Sequence, residues 1–224
     1  MLNLEHANRK KGLGMKTPSA TDVNEAELAH WLFTAFVSSR SIAEELCFIP
    51  EMQLAFMMDR KVLAPIARGP GDIDVLAANA TYPAQAIAVE VKRVKMPSGS
   101  YSTSLPNKLQ ELEKGCTQVR YLREIGFHRS YLLVAVVADG REQTEESFAF
   151  RGPTPALVKA VKEKLRSLKF HPDVGVVVVE ATQPVDKDIQ GSGAIGIWTH
   201  QGASMIQQPP ELTANIAKFF QASH

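Results

Sequence analysis

Cysteine is scarce: Cys47 and Cys116 are the only two in 224 residues. Two thiols in apolar surroundings predict reduced core residues of a cytosolic protein, not a disulfide framework. An excess of charge of one sign is also lacking. Lys and Arg number 25 against 24 Asp and Glu, a net charge of +1, so any polyanionic partner must be met by local patches. Long apolar runs are missing too. The most apolar, VGVVVVEA at 174–181, is far too short to span a bilayer. The N-terminal MLNLEHANRKK has no apolar centre of the kind that a signal peptide needs. The expectation is a soluble cytoplasmic protein that does not enter a membrane.

Several motifs are equally absent. No G-x-x-x-x-G-K-[ST] loop occurs, so no ATPase is expected. The six histidines lack metal-ligand spacing, and no nucleophile elbow is present. GSGAIG at 191–196 matches G-x-G-x-x-G, but a polar loop precedes it and the strand-like IGIWTH follows. A dinucleotide site needs a strand before the glycines and a helix after them, so this segment reads as loop.

What is present is an ordinary core. Apolar residues make up 45% of the chain, enough for one α/β domain. Residues 1–20 are polar and basic and predict a flexible arm. A helix should start near Thr21 or Asp22, with Leu28, Trp31, Leu32, Ala35 and Phe36 at helical spacing. Residues 41–59 fit helix and strand equally. Strands are expected at VLAPIA (62–67), DIDVLAA (72–78) and AIAVEVKRV (86–94). A Ser- and Gly-rich loop, PSGSYSTSLPN, leads to a helix over about 107–125, and YLLVAVVA ends at the turn signal Asp139-Gly140. Thr154 and Pro155 read as N-cap and first residue of another helix. VGVVVVEA, AIGIWTH and a last helix opened by Pro210 complete the chain. The near-continuous apolar strands predict a central mixed sheet flanked by helices, antiparallel early and parallel where helices link the strands.

Two of these strands carry charge. Side chains alternate along a strand, so Glu90 and Lys92 share a face opposite Ile87, Val89 and Val91. Asp72 and Asp74 share a face opposite Ile73 and Val75. If the strands pair, the polar faces converge. Carboxylates from adjacent strands form an oxygen-rich site that suits Mg²⁺ or Mn²⁺. A metal there can bind a phosphate and activate a water, and a neighbouring lysine can orient that water or stabilise charge on phosphorus.

Asp74, followed 16 residues later by Glu90-Val91-Lys92 within AVEVK, resembles the signature of the PD-(D/E)xK nucleases, which share the restriction-endonuclease-like fold. The resemblance covers roughly residues 21–137. It departs at one point: GDID stands where Pro-Asp would stand, as in some branches of that superfamily. The resemblance implies an αβββαβ core with a C-terminal α/β extension. It implies Asp74 and Glu90 as metal ligands, the Val91 carbonyl as a further ligand and Lys92 as the catalytic lysine. Asp74 ranks above Asp72 because it directly precedes the apolar run Val75-Leu76-Ala77.

Supporting residues are weighed the same way. Glu25 resembles the first-helix glutamate of such nucleases, although Asp22-x-x-Glu25 also reads as a cap. Gln118 and Tyr121 share a face of the following helix. Some exonuclease-like members place a Gln and a Tyr there at a wider spacing, which favours Gln118 and leaves Tyr121 to packing. Lys159, Lys162, Arg166 and Lys169 form a cationic stripe that would track a phosphate backbone, or be merely solvated.

Together these expectations give a single nuclease-like α/β domain over 21–224. Its activity would be Mg²⁺- or Mn²⁺-dependent hydrolysis of phosphodiester bonds, in DNA, through Asp74, Glu90 and Lys92 with Gln118 and Glu25. The expected partners are nucleic acid, a second copy as homodimer, and a larger repair or defence complex. The alternative is a non-catalytic nucleic-acid-binding or interaction subunit on the same fold.

Overall fold

The computed structural model describes residues 24–64, 72–96, 107–139, 150–182 and 194–222. The expected basic arm, the loop PSGSYSTSLPN up to Pro106, Gly140 and the glycines of GSGAIG before Ala194 lie outside the described residues.

Helix α1 spans Glu25–Thr34 and starts on Asn24. The Asn24 side chain accepts from the Glu27 amide, and the Glu27 carboxylate accepts from the Asn24 amide. This reciprocal pair satisfies two amides that the first turn would leave unpaired. The expected Asp22–Glu25 cap is thus corrected, since Asn24 and Glu27 do that work and Glu25 is released from it. Leu28, Ala29 and Leu32 form the buried face of α1. A second helix, α2 (Phe36–Glu45), settles the first part of the ambiguous segment, and a strand, β1 (Gln53–Met58), settles the rest.

The strand expected at 62–67 is not found. Residues 60–62 form a short 3₁₀ turn capped by Asp59, and 65–67 lie outside the described residues. The first strand is instead β1. Strands β2 (Ile73–Ala78) and β3 (Ile87–Met96) follow as read. The chain continues through α3 (Glu111–Ile125), β4 (Arg129–Asp139), the two-residue β5 (Phe150–Arg151), α4 (Pro155–Ser167), β6 (Val174–Thr182), β7 (Ala194–Gln201) and α5 (Pro210–Ala222). Gly126, at φ 100°, ends α3 in the left-handed conformation that glycine tolerates best. Thr154 caps α4 by accepting from the Leu157 amide, with Pro155 in the first turn.

The sheet order is β1-β2-β3-β4-β6-β7, with β5 paired to β4. The β1–β2 and β2–β3 pairs are antiparallel, β3–β4 and β4–β6 are parallel, and β7 returns antiparallel on β6. The parallel pairs are those bridged by α3 and α4, as the crossover geometry requires. The fold is therefore α/β, an open mixed sheet flanked by helices.

Alternation sorts the strand side chains between two layers. Val75, Ala77, Val89, Val91, Leu133 and Val177 pack in one cluster with α1 and residues of α2. Val94, Leu132, Val134, Val176 and Val178 pack on the other side with α3 and α4. Leu76, Ala78 and Ala88 pack with Leu122, Phe127 and the Leu212, Ile216 and Phe220 face of α5. Each of the Val, Leu, Ile and Phe side chains stabilises the fold by roughly 1.5–3 kcal/mol when fully buried.

Two local departures matter. Met57 has φ 49°, in the left-handed region, within strand β1. It lies between the pairs Phe56↔Val75 and Met58↔Ile73, level with Asp74. Past this point Met58 and Ile73 join the cluster of Leu76, whereas Val75 belongs to that of Val89. The strand pair therefore turns over at Met57–Asp74, which corrects the expectation that Ile73 and Val75 share a face. The cysteines also differ from expectation. Cys47 is exposed in a left-handed turn after α2 (φ 57°), and Cys116 is half-buried on the flank of α3. Neither thiol is therefore a core residue.

Candidate active site

The β2–β3 ladder runs through Ala77↔Ile87, Leu76↔Ala88 and Val75↔Val89. Beyond Val89, the edge of β3 that β2 had covered needs other partners, because a buried amide left unpaired is costly. Two carboxylates supply them. Asp74 Oδ2 accepts from the Val91 amide at 2.7 Å, and Glu25 Oε2 accepts from the Arg93 amide at 3.0 Å. One acid comes from the start of β2 and the other from the start of α1.

Lys92 ties the group together. Its Nζ donates to Glu90 Oε1 at 2.5 Å, Glu25 Oε1 at 3.1 Å and the Val91 carbonyl at 3.1 Å. Asp74, Glu90 and Lys92 are only 8%, 1% and 7% exposed. Asp74, Glu90, Lys92, Glu25 and the Val91 carbonyl, expected together, are thus in one place. Asp72 is exposed ahead of β2 and stays outside it.

Burial sets the electrostatics. It pushes the Asp74 carboxyl up to about 6, against the Val91 amide and the charge of Lys92, which pull it down. It pushes Glu90 up to about 7, aided by the negative charge of Asp74 and opposed by Lys92. Burial pulls Lys92 down, but Glu90 and Glu25 outweigh that pull and leave it above its ordinary value. Two carboxyls raised toward neutrality thus lie beside an ammonium held charged, in a partly dry setting. Glu90 Oε2 is buried and has no hydrogen-bond partner among the described residues.

The oxygens gather around the Lys92 ammonium. Among the described residues, no three His, Cys, Asp or Glu side chains already converge as a metal cage. The donor set is nevertheless of the hard-oxygen kind that Mg²⁺ and Mn²⁺ take, and Glu90 Oε2 is the atom with unused capacity.

The other expected residues divide. Gln118 is half-buried on α3, one turn from Gly115. Leu122, on the same side of that helix, packs with Leu76 and Ala88 of β2 and β3. Gln118 therefore flanks the cluster, although no hydrogen bond joins it to the cluster among the described residues. Tyr121 is half-buried, with the Arg120 guanidinium 5.5 Å from its ring centroid. Lys159, Lys162 and Arg166 lie on α4, which packs with β4 and β6 residues, and are not brought to the site. Lys159 Nζ is 3.9 Å from Glu163 Oε1, and Lys162 Nζ is 4.8 Å from the Trp198 ring centroid.

Gly115 escaped notice in the sequence. A Cβ built there would sit 2.7 Å from Lys92 Cγ and 2.9 Å from Leu132 Cδ1. Glycine inside a helix costs about 0.5–1 kcal/mol relative to alanine, and its one visible signal was that placement within an otherwise good helical stretch.

No family model, curated protein or solved structure matches the chain. No helix among the described residues is long and apolar enough to cross a membrane.

Proposed function

We propose that the chain is a metal-dependent nuclease of the PD-(D/E)xK type that hydrolyses phosphodiester bonds in DNA. The observation that carries this reading is Glu90. Its side chain is 1% exposed, and one of its oxygens has no hydrogen-bond partner among the described residues. Leaving a buried charged oxygen unsatisfied costs several kcal/mol, and such a defect beside a second buried carboxyl and a buried lysine is expected where a cation belongs. The chain order α1, β1, β2, β3, α3, β4, with α2 between α1 and β1, supports this reading, because the core that the resemblance implies is αβββαβ.

Asp74, Glu90 and the Val91 carbonyl would hold Mg²⁺ or Mn²⁺. When bound, such an ion supplies a water of lowered pKa and offsets the negative charge of the phosphate. Lys92, released from the oxygens it now shares, orients the attacking water and stabilises charge gathering on phosphorus. Glu25 keeps the Arg93 amide and the Lys92 stem in register. Gln118 lines the flank. The α4 stripe of Lys159, Lys162 and Arg166 supplies backbone contacts to the DNA. A homodimer, or a place in a repair or defence complex, would bring the site to both strands.

The test is incubation of the purified protein with plasmid and linear DNA in Mg²⁺, Mn²⁺ or EDTA. Cutting is expected with either ion, none in EDTA, and none from Glu90→Ala or Lys92→Ala. Cutting that persists unchanged in those variants overturns the site. A second reading, a non-catalytic DNA-binding subunit, draws on the ion pairs by which Lys92 already compensates Glu90 and Glu25. Its result would be salt-sensitive, metal-independent binding without turnover.

A further inference from the structure

We propose that Gly115 is the positioning residue for the Lys92 ammonium, the space it leaves on α3 being the seat of the lysine stem. Gly115 sits within the helix Glu111–Ile125 and is not among the glycines with positive φ. Its backbone conformation therefore does not call for glycine, and the space beside it does. The gaps of 2.7 Å to Lys92 Cγ and 2.9 Å to Leu132 Cδ1 are shorter than real Cβ contacts.

Which neighbour would yield is decided by what surrounds it. Leu132 is fully buried within the cluster of Val94, Val119 and Val176, so its branch has little room to turn. Lys92 Cγ lies near the root of its side chain and cannot swing aside as a chain end would. Its far end is fixed by Glu90, Glu25 and the Val91 carbonyl. A methyl at 115 must therefore shift the lysine stem or lift α3, and either change moves Nζ away from its acceptors. Hydrogen bonds weaken steeply with such displacement, and misplacement by about 1 Å can cost on the order of a hundredfold in rate.

The consequence for catalysis rests on the nuclease reading; the consequence for the ammonium does not. Two readouts on Gly115→Ala keep them apart. The first is the ¹⁵N-detected NMR signal of the Lys92 ammonium, assigned by its absence from Lys92→Met, with the backbone amide spectrum recorded alongside. The expected result is a Lys92 signal moved or broadened out of view, while the amides of β6 and β7 stay in place. The second is DNA cleavage, where kcat is expected to fall by about tenfold to a hundredfold with KM within about twofold. If Gly115→Ala does not fold, Gly115→Ala/Leu132→Val serves instead, because it removes the Leu132 clash and leaves the one with Lys92. A Lys92 ammonium signal unchanged in whichever of the two folds overturns the proposal. An altered signal from a parent protein that never cuts DNA upholds the positioning role and refutes the nuclease reading alone.

Discussion

Replacing Glu90 by glutamine should make the protein more stable in alkaline buffer while removing its proposed activity. The Glu90 carboxyl is pushed from an ordinary 4.5 to about 7, chiefly by burial, and that balance already includes the pull of Lys92. The folded chain thus holds this proton more tightly than the unfolded chain does. The resulting stabilisation is fully present below the unfolded pKa and is lost as pH rises through the folded one. At about 1.4 kcal/mol per unit, the loss reaches roughly 3 kcal/mol above pH 7. Glutamine keeps the shape and cannot ionise, so it escapes that loss. Urea unfolding in EDTA should show Glu90→Gln more stable than the parent by up to roughly 3 kcal/mol at pH 8. At pH 5 the gap should shrink to under about 1 kcal/mol. A variant less stable than the parent at pH 8, or a gap that does not change with pH, refutes the account of Glu90 as a carboxylate held against burial.

Lys92→Met takes away the ammonium shared by Glu90 and Glu25 and should cost about 3–5 kcal/mol at pH 8. The same urea titration should find a smaller cost at pH 5, where Asp74 and Glu90 are protonated. Asn24→Ala removes the side-chain half of the α1 capping box and should cost about 1 kcal/mol, seen as a fall in Tm of about 2–4 °C in a protein of this size. Lys162→Ala and Arg166→Ala should each weaken DNA binding uniformly across sequences. Each should also reduce the slope of log affinity against log salt by about one, measured by fluorescence anisotropy.

The site was legible because its signal is short-range and periodic. Asp74, Glu90 and Lys92 announce themselves by standing where alternation puts charge on otherwise apolar strands, and the structure brings them together. Glu25 was visible for a mixed reason. In the sequence a site role for Glu25 competes with a cap shared with Asp22, whereas the structure caps α1 with Asn24 and Glu27 and leaves Glu25 for Arg93 and Lys92. Strand β1 was hidden by Met57, whose left-handed backbone breaks the two-residue period that would have marked it. Gly115 left only a faint signal, a glycine inside a helical stretch, because its importance lies in a side chain 23 positions away that packs across from it. The cysteines misled because apolar neighbours in sequence do not by themselves bury a residue: Cys47 falls in a turn and Cys116 on the flank of a helix.

Met57 has one more consequence. Strand β1 forms an outer edge of the sheet, and an open edge with regular spacing is a template on which a stray extended chain can add itself. The left-handed residue interrupts that spacing within the last two residues of the strand. The turn-over of the β1–β2 pair at this residue makes the end of that edge, among the described residues, hard to copy.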